Sequence, residues 1–129
     1  MLPRALGNGV LRFDHAAVCN GLGLQQGSRI LFSDFIDDGA MWTGTGPRNV
    51  CEAQSFAKGF LAPPVVMCSI SMWDIAHQSN SRVDLSAENV SETGFDIVFR
   101  TWGDTRVARV RVDWLAIGPT RDHDDWDVP

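Results

Sequence analysis

Arginine and tryptophan side chains stand at the ends of predicted strands, where they could bind a hydroxyl-rich ligand. Arg82 opens one strand, and its planar guanidinium group suits two adjacent sugar hydroxyls or the carboxylate of an acidic sugar. The alternative for Arg82 is a salt bridge with Asp74, Asp84 or Asp104. Trp102 ends another strand and could place its ring on the apolar side of a sugar. The alternative for Trp102 is packing at the edge of the fold or at a subunit interface.

Four further positions in two loops complete the candidate site. Asp104 could accept hydrogen bonds from hydroxyls and Arg106 could donate them, although an aspartate in a turn commonly binds its own backbone instead. Gly44 and Thr45 lie in the loop 42–48, where small residues let backbone groups approach a ligand. This loop lacks the lysine and the spacing of a phosphate-binding loop, so a simple connection is the alternative.

The sequence contains no residue grouping that supports catalysis or a metal site. There is no G-x-S-x-G motif and no defensible Ser-His-Asp or Cys-His grouping. Carboxylate pairs can always be assembled from 16 acidic residues, so they do not indicate glycoside hydrolysis. His15, His77 and His123 are far apart and have no partner at a metal-ligand spacing. We therefore predict a protein that is not an enzyme and has no metal or cofactor.

Short β-branched and aromatic runs between Gly, Pro, Asn and Asp clusters predict an all-β fold. Six runs have the length of strands: 29–36, 49–56, 65–75, 82–90, 94–102 and 107–117. The third run is the most continuously apolar, and the two prolines before it, Pro63 and Pro64, fix an extended entry. We therefore expect the third run to be a central strand.

The last two runs show how the predicted strands orient their side chains. In the sixth run, Val110 and Trp114 share one face with other apolar residues, so Trp114 is predicted to lie in the core. Only residues 103–106 separate the fifth run from the sixth. A connection of this length predicts a hairpin with Trp102 and Arg106 close together at its tip.

Length and charge restrict the class of protein. A chain of 129 residues with 44% hydrophobic and 21% charged residues predicts one globular domain. The net charge of −5 argues against nucleic acid, which needs a basic surface, and no run approaches the length of a membrane span. We divide the chain into an N-terminal extension (1–27) with few strand signals, a sandwich domain (28–118) and an acidic C-terminal tail (119–129).

The cysteines and the N-terminus bear on the compartment. Cys19, Cys51 and Cys68 are odd in number and have no C-x-x-C spacing, so they are predicted to be reduced thiols. Pro3, Gly7 and Gly9 interrupt the N-terminal residues, which therefore lack the apolar run of a signal peptide. The expectation is a protein that is cytoplasmic at synthesis, with later release or association with a particle left open.

The second half of the chain resembles the H-type lectins, the family of the snail agglutinin. The pattern that carries the resemblance is Pro63-Pro64-Val65-Val66, Ser69-Ile70-Ser71, Asp74, Asn80, Arg82, Thr93-Gly94-Phe95, Thr101-Trp102, Thr105, Trp114 and Ala116-Ile117. The likeness extends more weakly back to Arg48. The chain is also similar to a group of short bacterial proteins labelled H-type lectin domain proteins, through Met41-Trp42-Thr43-Gly44 and the acidic ending.

The resemblance implies a six-stranded antiparallel β-sandwich that forms a trimer with sugar sites between protomers. Snail-type members bind N-acetylgalactosamine through an Asp, an Arg, a Trp-His pair and a Tyr. The Arg matches Arg82 and the Trp matches Trp102. The His falls on Gly103, the Tyr on Ala108 and the acidic residue on Thr45, so three of these positions depart from the family pattern.

A lectin-like carbohydrate-binding module is the function that the resemblance implies, with a glycan or polysaccharide as partner. Its sites would lie at the interfaces of a homotrimer, or a multiple of one, and would suit multivalent binding such as cell adhesion. The alternative is a structural or assembly subunit that uses the same trimeric sandwich for protein-protein contacts, which the three departures favour. The disulfide of secreted animal members is absent, because its position in the fifth strand is Phe99.

Overall fold

Antiparallel strands form two packed sheets in the computed structural model, which describes residues 12–19, as backbone only, and residues 21–121. The strands are β1 (Arg12–Cys19), β2 (Leu22–Ser33), β3 (Arg48–Ser55), β4 (Val65–Ile75), β5 (Val83–Glu88), β6 (Gly94–Thr101) and β7 (Val107–Pro119). The first sheet has the order β1-β2-β7-β4 and the second has the order β3-β6-β5. Strands β2 to β7 confirm the predicted six-stranded sandwich, and β1 adds one edge strand.

The N-terminal part of the sheet was not predicted. We expected few strands before residue 28, but β1 pairs with β2, and β2 pairs with β7 from Leu22 onward. β2 is extended because it pairs with β7, which lies far along the chain, whereas β1 pairs with the neighbouring β2. No strand was predicted here because few apolar positions are consecutive. The expected boundary at residue 28 therefore falls inside β2. Residues 1–11, 20 and 122–129, with most of the acidic tail, lie outside the described residues.

The segment after β2 is helical rather than extended. The first predicted strand run continued to residue 36, but β2 ends at Ser33 and is followed by two single-turn helices, α1 (Asp34–Asp37) and α2 (Ala40–Thr43). The Asp34 carboxylate accepts a hydrogen bond from the Met41 backbone N–H at 3.0 Å, which joins the two turns. Met41 is fully buried, so α2 is fastened to the core.

The core lies between the two sheets and is centred on β7. The inward side chains of β7, including Val110 and Val112, are fully buried, and Trp114 is buried as predicted. The expectation that β4 is central was wrong, because β4 lies at the edge of its sheet. Its apolar run covers both faces, and Val65 and Met67 are exposed on the outer one. Among the described residues, no helix is long and apolar enough to span a membrane.

Strands β6 and β7 do not form the predicted hairpin. They belong to opposite sheets, so the short segment between them crosses from one layer of the sandwich to the other. Two buried threonines fix this crossing: the Thr101 hydroxyl donates to the Arg82 carbonyl oxygen and the Thr105 hydroxyl donates to the Asn80 carbonyl oxygen, each at 2.5 Å. Which strand pairs with β6 or β7 depends on the other strands of each sheet. The length of the connecting segment alone does not predict these partners.

Candidate functional site

Three connecting segments meet at one end of the sandwich, and this region is termed the loop end. It comprises residues 40–48, 76–82 and 102–106. Backbone hydrogen bonds join the segments: the Gly46 N–H donates to the Gly103 carbonyl oxygen at 2.9 Å, and the Ala76 N–H donates to the Arg106 carbonyl oxygen at 3.0 Å. Segments that are distant in sequence therefore form one surface.

An open cleft of about 620 Å³ lies between the segments of the loop end. Four of the six predicted site residues line it: Gly44, Thr45, Asp104 and Arg106. The other lining residues are ones that the sequence did not select: Trp42, Thr43, Ala76, His77, Gln78 and Ser79. The walls thus combine an indole ring with hydroxyl, amide, imidazole and guanidinium groups, a mixture that suits a polar organic ligand.

Arg82 is joined to the cleft through Asp104. Its Nη1 atom lies 3.0 Å from Oδ1 of Asp104, so of the three salt bridges open to Arg82 the structure forms this one. Asn80 also binds the carboxylate, through its backbone N–H at 3.3 Å and through its side-chain amide. These hydrogen bonds, the one from the Asn80 backbone first, lower the pKa of Asp104, and the charge of Arg82 adds to the effect. Asp104 is therefore an anchored carboxylate.

The backbone of Arg82 is also held in place from the core side. Its N–H donates to the Thr105 hydroxyl oxygen at 3.0 Å, while the same hydroxyl donates to the Asn80 carbonyl oxygen. Thr105 is fully buried, so the start of β5 is fixed to the crossing segment. This arrangement positions the Arg82 side chain at the surface without using its guanidinium group.

Arg106 lies against Trp42 in the wall of the cleft. Its Cζ atom is 4.3 Å from the centroid of the Trp42 ring, and its Nε donates to the Trp42 carbonyl oxygen at 2.8 Å. On the Trp42 side, the ring also contacts Phe35 edge-on at 5.2 Å between centroids. The guanidinium plane of Arg106 is therefore held by an aromatic ring and a hydrogen bond together.

Arg48 organises the first segment of the loop end, a role that sequence reasoning missed. Its guanidinium group donates to the carbonyl oxygens of Gly46 at 2.8 Å and of Ala40, Met41 and Gly103 at 3.3 Å each. Burial lowers the pKa of Arg48 below its ordinary value. An arginine that opens a strand directly after a Gly-Pro pair was a usable signal, but only the fold shows that four carbonyl groups surround it.

Trp102 is not among the residues that line the cleft. Its side chain is 43% exposed at the end of β6, and Arg106 contacts Trp42 rather than lying beside Trp102 at a hairpin tip. Within one chain, the structure therefore brings together five of the six predicted site residues, with Arg82 linked through Asp104. Trp102 is an exposed residue of the loop end that lies outside the cleft wall.

Two positions where the chain departs from the snail-type pattern have structural reasons. Gly103 has a φ of +68°, which strains any other side chain, and a Cβ atom there would lie 3.3 Å from Nη1 of Arg82. Ala108 is buried in β7 and so does not face a ligand. The Arg82 side chain thus occupies space beside Gly103 that another side chain would need.

No group of three or more His, Cys, Asp or Glu side chains that could hold a metal ion is present in the described part of the chain. His77 lies in the wall of the cleft, as a loop residue, and His15 and His123 have no described side chains. Cys51 and Cys68 are free thiols, and the Cys19 side chain is not described.

The fold and the sequence together define a class of binding domain. Residues 52–117 match the family model of the H-type lectin domain. The chain belongs to the H-type lectin domain family, which is a family of binding domains rather than enzymes. It is 57% identical over 107 residues to "ATP synthase subunits region ORF 7" of Fuscovulum blasticum, covering 83% of this chain and 93% of that protein. That name states no activity.

The discoidins of Dictyostelium discoideum are more distant relatives. The chain is 32% identical to Discoidin-2 over 84 residues, covering 64% of this chain but only 32% of that protein. The solved structure of recombinant discoidin II superposes with a TM-score of 0.59 over 92% of this chain and 40% of that chain, at 20% identity. This likeness shows the shared β-sandwich. The chain spans about a third of the length of Discoidin-2, so the activity of the whole discoidin does not carry over.

Proposed function

We propose that this protein is a carbohydrate-binding module that holds a glycan at the loop end of its sandwich. Arg82, Asp104, Arg106 and the Gly44-Thr45 backbone supply the polar contacts. A glycan is rich in hydroxyl groups, which carboxylate and guanidinium groups bind well, and it also has apolar ring faces that pack on indole. The loop end offers both kinds of group in one open surface.

The observation that carries this proposal is the cleft itself. Gly44, Thr45, Asp104 and Arg106 were selected from sequence as ligand contacts, and all four line the same cavity of about 620 Å³. They come from two segments separated by nearly half of the chain. Membership of the H-type lectin domain family supports the same function independently of this geometry.

We further propose that three copies of the chain assemble, with each glycan site completed at the boundary between two protomers. Trp102 supports this arrangement, because it is an exposed residue of the loop end yet does not line the cleft of its own chain. The outer face of β4 also supports self-association. It carries Val65 and Met67, which are 70% and 64% exposed, and such a surface favours contact with another protein.

Glycan-array binding of the purified oligomer tests the proposal. We expect binding to glycans that Arg82→Ala abolishes or greatly weakens, because the variant also leaves the Asp104 carboxylate without its cation. Arg100→Ala is the matched control, since Arg100 forms a comparable exposed ion pair with Glu88 at 2.8 Å on the second sheet. No binding at high protein concentration, across bacterial and animal glycans, would refute the function.

The second candidate function is a structural or assembly subunit that binds protein rather than glycan. The exposed apolar side chains of β4 favour it, because a module that contacts only glycans has no need of them. The two candidates differ in what covers Trp102. Protection of Trp102 from oxidation by a co-purified protein would support the assembly function, whereas protection by added glycan would support the lectin function.

A further inference from the structure

The guanidinium group of Arg106 presents unused donors to the cleft. Its Nε is occupied by the Trp42 carbonyl oxygen at 2.8 Å, and one of its faces is covered by the Trp42 ring at 4.3 Å. Within residues 21–121, its Nη1 and Nη2 atoms make no hydrogen bond or ion pair. Arg106 is exposed, so these two donors are available to a ligand.

Arg106 is a cation in the wall of the cleft that pairs with no carboxylate of the described residues. Asp104 is the one carboxylate among the lining residues, and it is bound by Arg82 at 3.0 Å and by Asn80. Arg48 adds a second positive charge nearby, because its partners are neutral carbonyl oxygens. Arg106 and Arg48 therefore lack an acidic partner here, although the whole chain carries a net charge of −5. A neutral sugar would leave this charge uncompensated.

We propose, building on the glycan-binding function above, that the ligand is an acidic saccharide whose carboxylate binds Nη1 and Nη2 of Arg106. A planar guanidinium group matches a carboxylate with two parallel hydrogen bonds, which an ammonium group cannot do. Stacking on Trp42 fixes the guanidinium plane before the ligand arrives, so less side-chain freedom is lost on binding. Arg82 was the sequence candidate for a carboxylate, but Asp104 already neutralises it.

The remaining walls of the cleft fit the rest of such a ligand. Thr45, His77 and Ser79 add hydroxyl and imidazole groups to the wall of the same cleft. Sugar hydroxyls can both donate to and accept from these groups. The volume of about 620 Å³ lies within the range of small-molecule sites, so it admits a short oligosaccharide rather than a single ring alone.

The test is calorimetric titration of the purified full chain with matched oligosaccharides at low salt. An oligogalacturonate carries one carboxylate per ring, and the corresponding oligogalactose is its neutral counterpart. We expect the acidic ligand to bind about tenfold to a hundredfold more tightly, as charged hydrogen bonds generally allow. Arg106→Gln should remove this preference, while Arg106→Lys should keep only the part that depends on charge.

Arg109→Gln is the control variant. Arg109 is an exposed arginine on the adjacent strand β7 that already pairs with Asp74 at 3.5 Å and does not line the cleft. It should leave the preference for the acidic ligand unchanged. Thermal unfolding of each variant shows whether the fold is intact. If Arg106→Gln disturbs the contact with Trp42, the Arg106→Lys variant still tests the role of the guanidinium group, because it keeps the positive charge.

Three results would overturn the inference. Equal affinity of the native protein for both oligosaccharides would show that the cleft does not recognise the carboxylate. If the Arg106→Gln variant still prefers the acidic oligosaccharide, a group other than Arg106 binds the carboxylate. Equally tight binding of a sulfated oligogalactose would show a response to charge alone, without the carboxylate geometry. Binding of no saccharide at all would instead refute the proposed function from which this inference starts.

Discussion

Asp104 connects the chemistry of the loop end to the residues that hold it. The hydrogen bond from the Asn80 backbone, the Asn80 amide and the charge of Arg82 all favour its ionised form, and its pKa lies below the ordinary value of 3.8. The folded state therefore gains stability from this group above pH 4 and loses it as the pH falls through the lowered pKa. The contact that joins Arg82 to the cleft therefore keeps its charge below pH 4 and weakens only when the pH falls through the lowered pKa of Asp104.

We predict that the Asp104 carboxyl carbon, followed by NMR, titrates with a midpoint below 3.8. Asn80→Ala should move the midpoint upward, because it removes the side-chain hydrogen bonds but leaves the backbone N–H in place. Glu88 is a suitable internal reference: its pKa is also lowered, chiefly by the Ser86 hydroxyl, and it should not respond to Asn80→Ala. A midpoint at or above the ordinary value would contradict the geometry of this contact.

Some residues of the candidate site could be predicted from the sequence, because few side-chain types can bind a hydroxyl-rich ligand. Arg82, Asp104 and Arg106 have donor and acceptor groups that suit a hydroxyl-rich ligand. They were selected by these groups together with their positions in the pattern that resembles the H-type lectins. Trp42 and Arg48 escaped notice as contacts, because their roles depend on which backbone carbonyls and side chains approach them in the fold. The same limit explains why the pairing of Arg82 with Asp104, among three acidic candidates, needed the structure.

Gly94, at the start of β6, lies where the backbones of β3 and β6 are in close contact. Gly94 is paired with Ser55, and a Cβ atom at Gly94 would lie 2.5 Å from the Gln54 carbonyl oxygen and 3.2 Å from the Ser55 Cα. Both neighbours are backbone atoms of β3, so they cannot rotate away. The close contact between β3 and β6 therefore depends on the absence of a side chain at this position.

We predict that Gly94→Ala lowers the free energy of unfolding by about 1–3 kcal/mol, the usual cost of overpacking. Chemical denaturation measures the loss directly. Gly59→Ala is the control, because a Cβ there would meet only the Glu92 carbonyl oxygen at an ordinary 3.5 Å. Equal stability of the two variants would show that the β3–β6 pair relaxes easily and that its spacing is not fixed.

Strand positions were largely predictable, whereas strand partners were not. Alternation in β5 and β7 reflects the burial of one face, so both strands were located from their period of two. The neighbours of β6 and β7 are chosen by pairing across the whole sheet, and the short segment between them misled the hairpin prediction. β1 was missed for a different reason: it pairs with the neighbouring strand β2, but its sequence shows no strict alternation of apolar and polar residues.

The assembly proposed for the whole molecule makes Arg82 and Trp102 act together across a protomer boundary. One chain does not place Trp102 in its own cleft, so a neighbouring copy would supply it. Sedimentation should then give a mass of about three times the 14.2 kDa of one chain. Arg82→Ala and Trp102→Ala homotrimers should each bind glycan poorly, because every boundary in them lacks one of the two contacts.

Mixing the two variants distinguishes a shared site from a site within one chain. If trimers of Arg82→Ala and Trp102→Ala chains are unfolded together and refolded in equal amounts, random assembly should restore both native residues at about a quarter of the boundaries. Glycan binding should recover to that fraction, measured as the number of sites by calorimetry. Mixing Arg82→Ala with a chain carrying both substitutions should restore none. If the first mixture also recovers no sites while the native protein refolds fully, Trp102 does not complete a neighbour's site, and the glycan would have to bind within the single-chain cleft.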